Sequence, residues 1–238
     1  MGEDLERLKE KIKRVPGFLR QDEAELLYQL AKRCSGQGVI VEVGSWKGKS
    51  TICLALGSKA NRKIKVYAVD PHIGSAEHQR CLGKVDTFQE FKKNIKKADL
   101  SFLVRPIVTT SKKAGRKFKQ PVELIFIDGS HDYQAVKEDF QSWFPKLING
   151  GIIAFHDTLR WPGPRQVVKE NLFQSRDFKN IHLVGSITWA QKTASQTAVD
   201  RCRNYYVLFL KELRRQLLNL NLPNSLHQLA KKVYYQIQ

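Results

Sequence analysis

The stretch VEVGSWKGKSTICLA (residues 41–55) runs from an apolar, β-branched segment straight into a helical one, with Gly44 and Gly48 at the junction. A strand that turns directly into a helix is the unit from which parallel α/β sheets are wound. Gly44 can take the positive φ of a tight turn, and Gly48 allows a close approach to the helix start. The spacing is neither GxxxxGK[ST] nor GxGxxG, so it carries neither a phosphate loop nor a dinucleotide fingerprint. Glu42 counts further against a polyphosphate, whose anions it would repel. A ligand with an ammonium and a carboxylate suits the junction better. Glu42 would accept from the ammonium, while Ser50 and the helix N-terminus would hold the carboxylate. A plain structural turn remains the alternative at this point.

The same unit repeats along the chain. Apolar runs of strand length fall at 39–43, 65–69, 102–104 with Ile107 and Val108, 122–127 and 151–155. Helical segments lie between them at 48–59, 86–97, 111–118 and 133–147. The strand runs are nearly continuous rather than alternating, as parallel strands buried on both faces require. Right-handed crossovers then give a doubly wound sheet. A helix is expected over 164–174 from Pro164. Short strands at 181–184 and 187–191 flank Gly185-Ser186 and read as a hairpin, hence an antiparallel edge. Ahead of the sheet, residues 4–14 read as a charged helix broken by Pro16-Gly17. A second helix follows over QDEAELLYQLAKR, with Asp22 as N-cap. Beyond residue 200 two helices split at Pro223 are expected. The expected division is a helical segment over 1–37, a sheet domain over 38–193 and a basic helical extension over 194–238.

The 238 residues, 42% hydrophobic with twelve Phe, suffice for one good core. No apolar run approaches the about 18–20 residues of a membrane-spanning helix. The charged N-terminus does not read as a secretory signal, and Glu6 breaks the myristoylation pattern. The four cysteines form no CxxC pair, and Cys53 reads as a small buried hydrophobe, so a reducing cytoplasmic compartment is expected. The net charge of +18 is uneven. Residues 92–119 hold ten Lys/Arg against one acid, and residues 192–238 eight against two. Such fields attract nucleic acid, anionic lipid or acidic small molecules. Only Phe102 and Phe118 interleave with the first cluster, a thin platform for stacking bases. Solubility or weak association with an anionic surface is therefore expected in preference to a nucleic-acid substrate.

The second strand ends in VYAVDPH, which sets Asp70 where a ribose diol is gripped by an acid. Four segments, VEVGSWKGKST, VYAVDPH, IFIDGSHDYQAVKEDF and LINGGIIAFHDT, together resemble the class I S-adenosylmethionine-dependent methyltransferases. The resemblance covers about residues 15–193 and is strongest to the branch of catechol-type and bacterial small-molecule and sugar O-methyltransferases. It implies a Rossmann-like, seven-stranded, mostly parallel α/β sheet with one antiparallel edge strand. It implies that Glu42, Gly44, Trp46, Gly48 and Ser50 line the methionine end of S-adenosyl-L-methionine and that Asp70 binds the ribose. His72 would border the ribose or adenine, Thr110 or Ser111 would lie near the adenine, and Asp128 would also face the cofactor.

Relatives that hold a divalent metal use one acid at the end of the fourth strand and an adjacent pair at the end of the fifth. Asp128 and His156-Asp157 stand at those places. His156 departs from the oxygen ligands that Mg²⁺ prefers and suits a softer ion, or none. His131, three positions after Asp128, stands where catechol-type relatives carry the catalytic base, and Asp132 reads as a helix cap. A zinc site from His72, His78 and Cys81 lacks a fourth ligand. Trp161 and Arg165 are candidates for the acceptor mouth. The expected function is O-methylation of a hydroxyl on a small molecule, sugar or phenol-like, with possible metal assistance. The alternatives are an RNA-directed methyltransferase using the basic surface and a non-catalytic cofactor-binding interaction domain. Homodimerisation through the terminal helices is a further expectation.

Overall fold

The computed structural model describes residues 2–75, 79 and 83–219. The chain opens with α1 (Gly2–Ile12) and α2 (Gln21–Arg33). It then alternates through β1 (Val39–Val43), α3 (Lys49–Lys59), β2 (Val66–Val69), α4 (Phe88–Lys97), β3 (Val104–Ile107) and α5 (Ser111–Lys117). The second half holds β4 (Val122–Ile127), α6 (Tyr133–Trp143), β5 (Leu147–Phe155), α7 (Pro162–Val168), β6 (Phe178–Val184), β7 (Ile187–Lys192) and α8 (Ala198–Asn219).

The seven strands form one sheet in the order β3-β2-β1-β4-β5-β7-β6. All neighbours are parallel except those of β7, which runs antiparallel to both β5 and β6. The hairpin expected about Gly185-Ser186 supplies that antiparallel edge, with β6 outermost. Helices cover both faces. One apolar cluster joins Leu8, Leu27, Leu30, Ile52, Phe91 and Ile95 beneath α1 to α4. The other joins Ala114, Val136, Phe140, Trp143, Val167 and Val207 beneath α5 to α8. Strands buried on both sides explain why their sequences read as unbroken apolar runs.

Register sets the site. Val43 pairs with Val69 and Ile127, Val69 with Ile107, and Ile127 with Phe155. The residues that follow, Gly44, Asp70, Asp128 and His156, therefore stand in a row along the carboxyl edge of the sheet. Strand order reverses between β1 and β4, where such sheets bind ligands.

Some boundaries differ from expectation. The helix expected over 133–147 stops at Trp143, where Pro145 enters a short 3₁₀ turn, and β5 starts at Leu147. Pro145 offers no N–H to continue an α-helix. The helix expected over 164–174 starts at Pro162 and passes into a π-helical turn at Lys169–Phe173. Asp22 is not the cap of α2: the helix starts at Gln21, and Glu23 accepts the backbone N–H of Arg20 at 2.9 Å. The second C-terminal helix, expected after Pro223, lies outside the described residues, as do His78 and Cys81. Among the described residues no helix is long and apolar enough to cross a membrane.

Candidate active site

Glu42 sits near the end of β1, fully buried. Burial pushes its carboxyl up to about 8 against the hydrogen bonds from Ser50 and Thr51, and the charges of Asp128 and Asp70 push the same way. One carboxyl oxygen accepts from the Thr51 hydroxyl. The other, Oε1, is buried without a partner, as are Ser45 Oγ and His72 Nε2. Orphaned polar atoms are costly unless a ligand meets them. Two of the three, Glu42 Oε1 and Ser45 Oγ, belong to the β1–α3 junction, as a site for an ammonium and a carboxylate requires.

Gly44 has φ 86° and Gly48 has φ 91°. A Cβ on Gly44 would lie 2.3 Å from the Asp128 carbonyl oxygen, and one on Gly48 would lie 3.1 Å from the Phe91 ring. Both glycines thus answer first to the protein's own chain: Gly44 lets β1 end against the β4 turn, and Gly48 seats α3 on α4. Asp70 braces the same junction. Its Oδ2 accepts the N–H groups of Ser45 and Trp46, both at 2.8 Å, and its Oδ1 accepts that of His72 at 2.6 Å. A carboxylate has about four lone-pair sites, so capacity for a ribose hydroxyl remains. Trp46 and His72 both have positive φ, 46° and 58°.

The adenine-side candidates divide. Thr110 is exposed ahead of α5. The Ser111 hydroxyl accepts from the Trp143 indole at 2.9 Å and bonds Asp139, so it is committed to α6. His72 is turned inward, its Nδ1 2.9 Å from Thr87 Oγ1 and its ring against Phe88 and Phe91.

The acidic end of the row is a single cluster. His156 Nδ1 lies 3.0 Å from Asp128 Oδ1 and 3.2 Å from Asp157 Oδ2. His131 Nε2 lies 3.0 Å from the same Asp157 oxygen, and its ring stacks on Trp161 at 3.9 Å. Asp157 has φ 57°, a left-handed conformation that a non-glycine residue holds only where its surroundings enforce it. Burial opposes charge on His156, but Asp128, Asp157 and Glu23 hold its pKa well above the ordinary histidine value. Burial likewise opposes charge on Asp157, yet His131 and His156 hold its carboxyl well below the usual range. One ligand atom each from Asp128, His156 and Asp157 lies within 4.8 Å of the others, close enough to share an ion. Asp132 caps α6, its Oδ1 accepting from Ala135 N–H at 2.9 Å.

Glu23 was not foreseen as a site residue. It reaches the cluster from α2, its Oε2 3.3 Å from His156 Nε2. Its local sequence signals only a helix start; nothing near it in the chain points to a histidine 133 positions away.

A doubly wound sheet with this strand order, a reversed β7 and a row of acids at the carboxyl edge defines the class I S-adenosylmethionine-dependent methyltransferase fold. Residues 41–158 match the family described as a methyltransferase domain, and this segment of the chain belongs to it. A curated relative, the uncharacterized protein y4gI of Sinorhizobium fredii, is 32% identical over 120 residues, which are 50% of this chain and 13% of that protein. The chain thus spans only a small part of that relative's length. Among solved structures, the O-methyltransferase NovP matches with TM-score 0.64 and 19% identity over 73% of this chain and 80% of its own. The O-methyltransferase TomG of Streptomyces achromogenes, involved in tomaymycin synthesis and solved with S-adenosylmethionine, matches with TM-score 0.56 and 16% identity over 81% and 90%.

Proposed function

We propose that the chain is an S-adenosyl-L-methionine-dependent O-methyltransferase whose acceptor is a hydroxyl on a small molecule, sugar or phenol-like. The carrying observation is the buried Glu42, with one oxygen unpartnered, on the same sheet edge as the Asp128–His131–Asp157 cluster. The names of NovP and TomG as O-methyltransferases support the reaction type. Bound S-adenosylmethionine supplies an activated sulfonium methyl, open to direct displacement.

The chain's residues do the rest. Glu42 Oε1 accepts from the cofactor ammonium, and Ser45, Ser50 and the start of α3 hold its carboxylate. Asp70 keeps the β1–α3 junction in place and accepts from the ribose. Trp161, 40% exposed, walls the acceptor side and fixes the His131 ring. His131 Nε2–H donates to Asp157 at 3.0 Å, which leaves the lone pair on Nδ1 to take the acceptor proton as the hydroxyl oxygen attacks, and Asp157 balances the charge that results. Asp128, His156 and Asp157 are the residues that would hold a divalent ion. Such an ion would acidify the acceptor hydroxyl and orient it.

Residues 38–193 are the catalytic unit in this reading, with helical segments before and after. The free thiols Cys34, Cys53 and Cys202 support a reducing, cytoplasmic setting. Val199, Phe209 and Leu213, exposed on α8, support pairing with a second copy.

The test is calorimetry with S-adenosylmethionine, followed by a turnover screen of hydroxylated metabolites. Binding is expected, and His131→Ala should lower kcat by about 10²–10⁴-fold with little change in cofactor affinity. Absence of cofactor binding, or full turnover in both His131→Ala and Asp128→Ala, would sink this reading.

A further inference from the structure

Glu23 is 1% exposed, and protein donors take up both of its carboxylate oxygens. Oε1 accepts from Ser186 N–H at 2.7 Å and from the Ser186 hydroxyl at 2.8 Å. Oε2 accepts from Arg20 N–H at 2.9 Å and faces His156 Nε2 at 3.3 Å. A carboxylate held this way by the start of α2 and by the β6–β7 turn has little freedom to move. It occupies Nε2, so Nδ1 is the imidazole nitrogen presented to Asp128 and Asp157. A carboxylate behind the far ring nitrogen is how metal-bound histidines are fixed in tautomer and orientation. The Nδ1–oxygen separations of 3.0 and 3.2 Å also match neighbouring ligands of one ion bound at about 2.1 Å.

We propose that Glu23 is a positioning residue that fixes His156 as an Nδ1 donor, so that the Asp128–His156–Asp157 centre takes a nitrogen-accepting transition ion, such as Fe²⁺, Co²⁺ or Zn²⁺, in preference to Mg²⁺. The inference rests on the reading of this cluster as part of the active site. Mg²⁺ favours oxygen ligands and keeps its waters, whereas imidazole suits the later first-row ions. Glu23 touches no reacting atom and acts through His156.

The experiment uses the full chain, stripped with EDTA and titrated separately with Co²⁺ and Mg²⁺. Affinity is read by calorimetry and the Co²⁺ ligand field by visible absorption. Co²⁺ is expected to bind at least 100-fold more tightly than Mg²⁺, with a spectrum showing nitrogen ligation. Glu23→Gln should weaken Co²⁺ by about 10–100-fold and shift that spectrum while S-adenosylhomocysteine affinity holds. His156→Asp, which makes the centre all-oxygen, should lower the Co²⁺/Mg²⁺ ratio at least tenfold, and it carries the test should Glu23→Gln fail to fold. An unchanged Co²⁺ affinity and spectrum in Glu23→Gln, an unchanged ratio in His156→Asp, or no metal binding at all would overturn the proposal. Retained S-adenosylhomocysteine binding in that case leaves the methyltransferase reading standing, whereas loss of cofactor binding by the unmutated chain sinks that reading separately.

Discussion

Glu42 holds its proton at neutral pH because burial raises its carboxyl to about 8. An ammonium arriving at Oε1 favours the ionised form and expels that proton. Cofactor binding at pH 7 should therefore release close to one proton per site, read as a dependence of calorimetric heat on buffer ionisation enthalpy. Glu42→Gln should abolish the release, and equal heats in all buffers for the unmutated chain would refute the coupling. The sign for stability follows from the same shift. Between the ordinary glutamate value near 4.5 and about 8 the folded chain keeps a proton that the unfolded chain has lost. Stability from this group thus falls as pH rises through that window and is flat above it. Melting temperatures of Glu42→Gln should lack this part of the decline. At this scale the sequence was informative wherever neighbours in the chain are also neighbours in the site. Glu42, Asp70, Asp128, His156 and Asp157 each follow or end a recognisable strand. Ser111 and His72 read from the sequence as bordering the adenine and ribose; the hydrogen bonds they make, with Trp143 and Thr87, are to partners that only the packed fold brings near.

In the proposed reading, cofactor binding depends on the β1–α3 junction. That junction is fixed by the Asp70 carboxylate and by the fit of Gly44 against the β4 turn. Gly44→Ala would place a methyl group 2.3 Å from the Asp128 carbonyl oxygen and force a side chain onto φ 86°. The cost should be about 3 kcal/mol, seen in denaturant melts, with cofactor affinity lost alongside because the Asp128 turn must shift. Retention of full stability and affinity would show that the junction is more plastic than its packing. Strands were legible because burial on both faces leaves a continuous apolar signature. Helix ends were less so: Trp143 ends α6 because Pro145 sits two residues on, and the π turn after α7 has no sequence mark of comparable strength.

At the scale of the sheet, the basic cluster of residues 92–119 and the Asp128–His156–Asp157 cluster are separated. All ten Lys/Arg of residues 92–119 are exposed, nine of them on α4, β3 and α5 at the β3 edge of the sheet and Lys119 just after α5. The Asp128–His156–Asp157 cluster follows β4 and β5, across three and four strands from that edge. The basic edge should hold polyanions loosely and with strong salt dependence. Retention on heparin should fall steeply from 50 to 300 mM salt. Lys96→Glu with Lys97→Glu, Lys113→Glu and Lys117→Glu should abolish it while leaving S-adenosylmethionine affinity intact. Retention unaffected by those reversals would place the anion contact elsewhere. The amount and unevenness of charge were readable from composition; its distance from the cluster needed the strand order.

The tether between Glu23 and Ser186 has a practical corollary. The segment that carries the family signature, residues 41–158, contains neither of them. A minimal fragment excised along those limits would keep the end of β1, all of β2 to β5 and every acid in the row, yet leave the His156 imidazole with nothing behind it. Grafts of this centre into another scaffold have to bring the α2 start and the β6–β7 bend along as a matched pair.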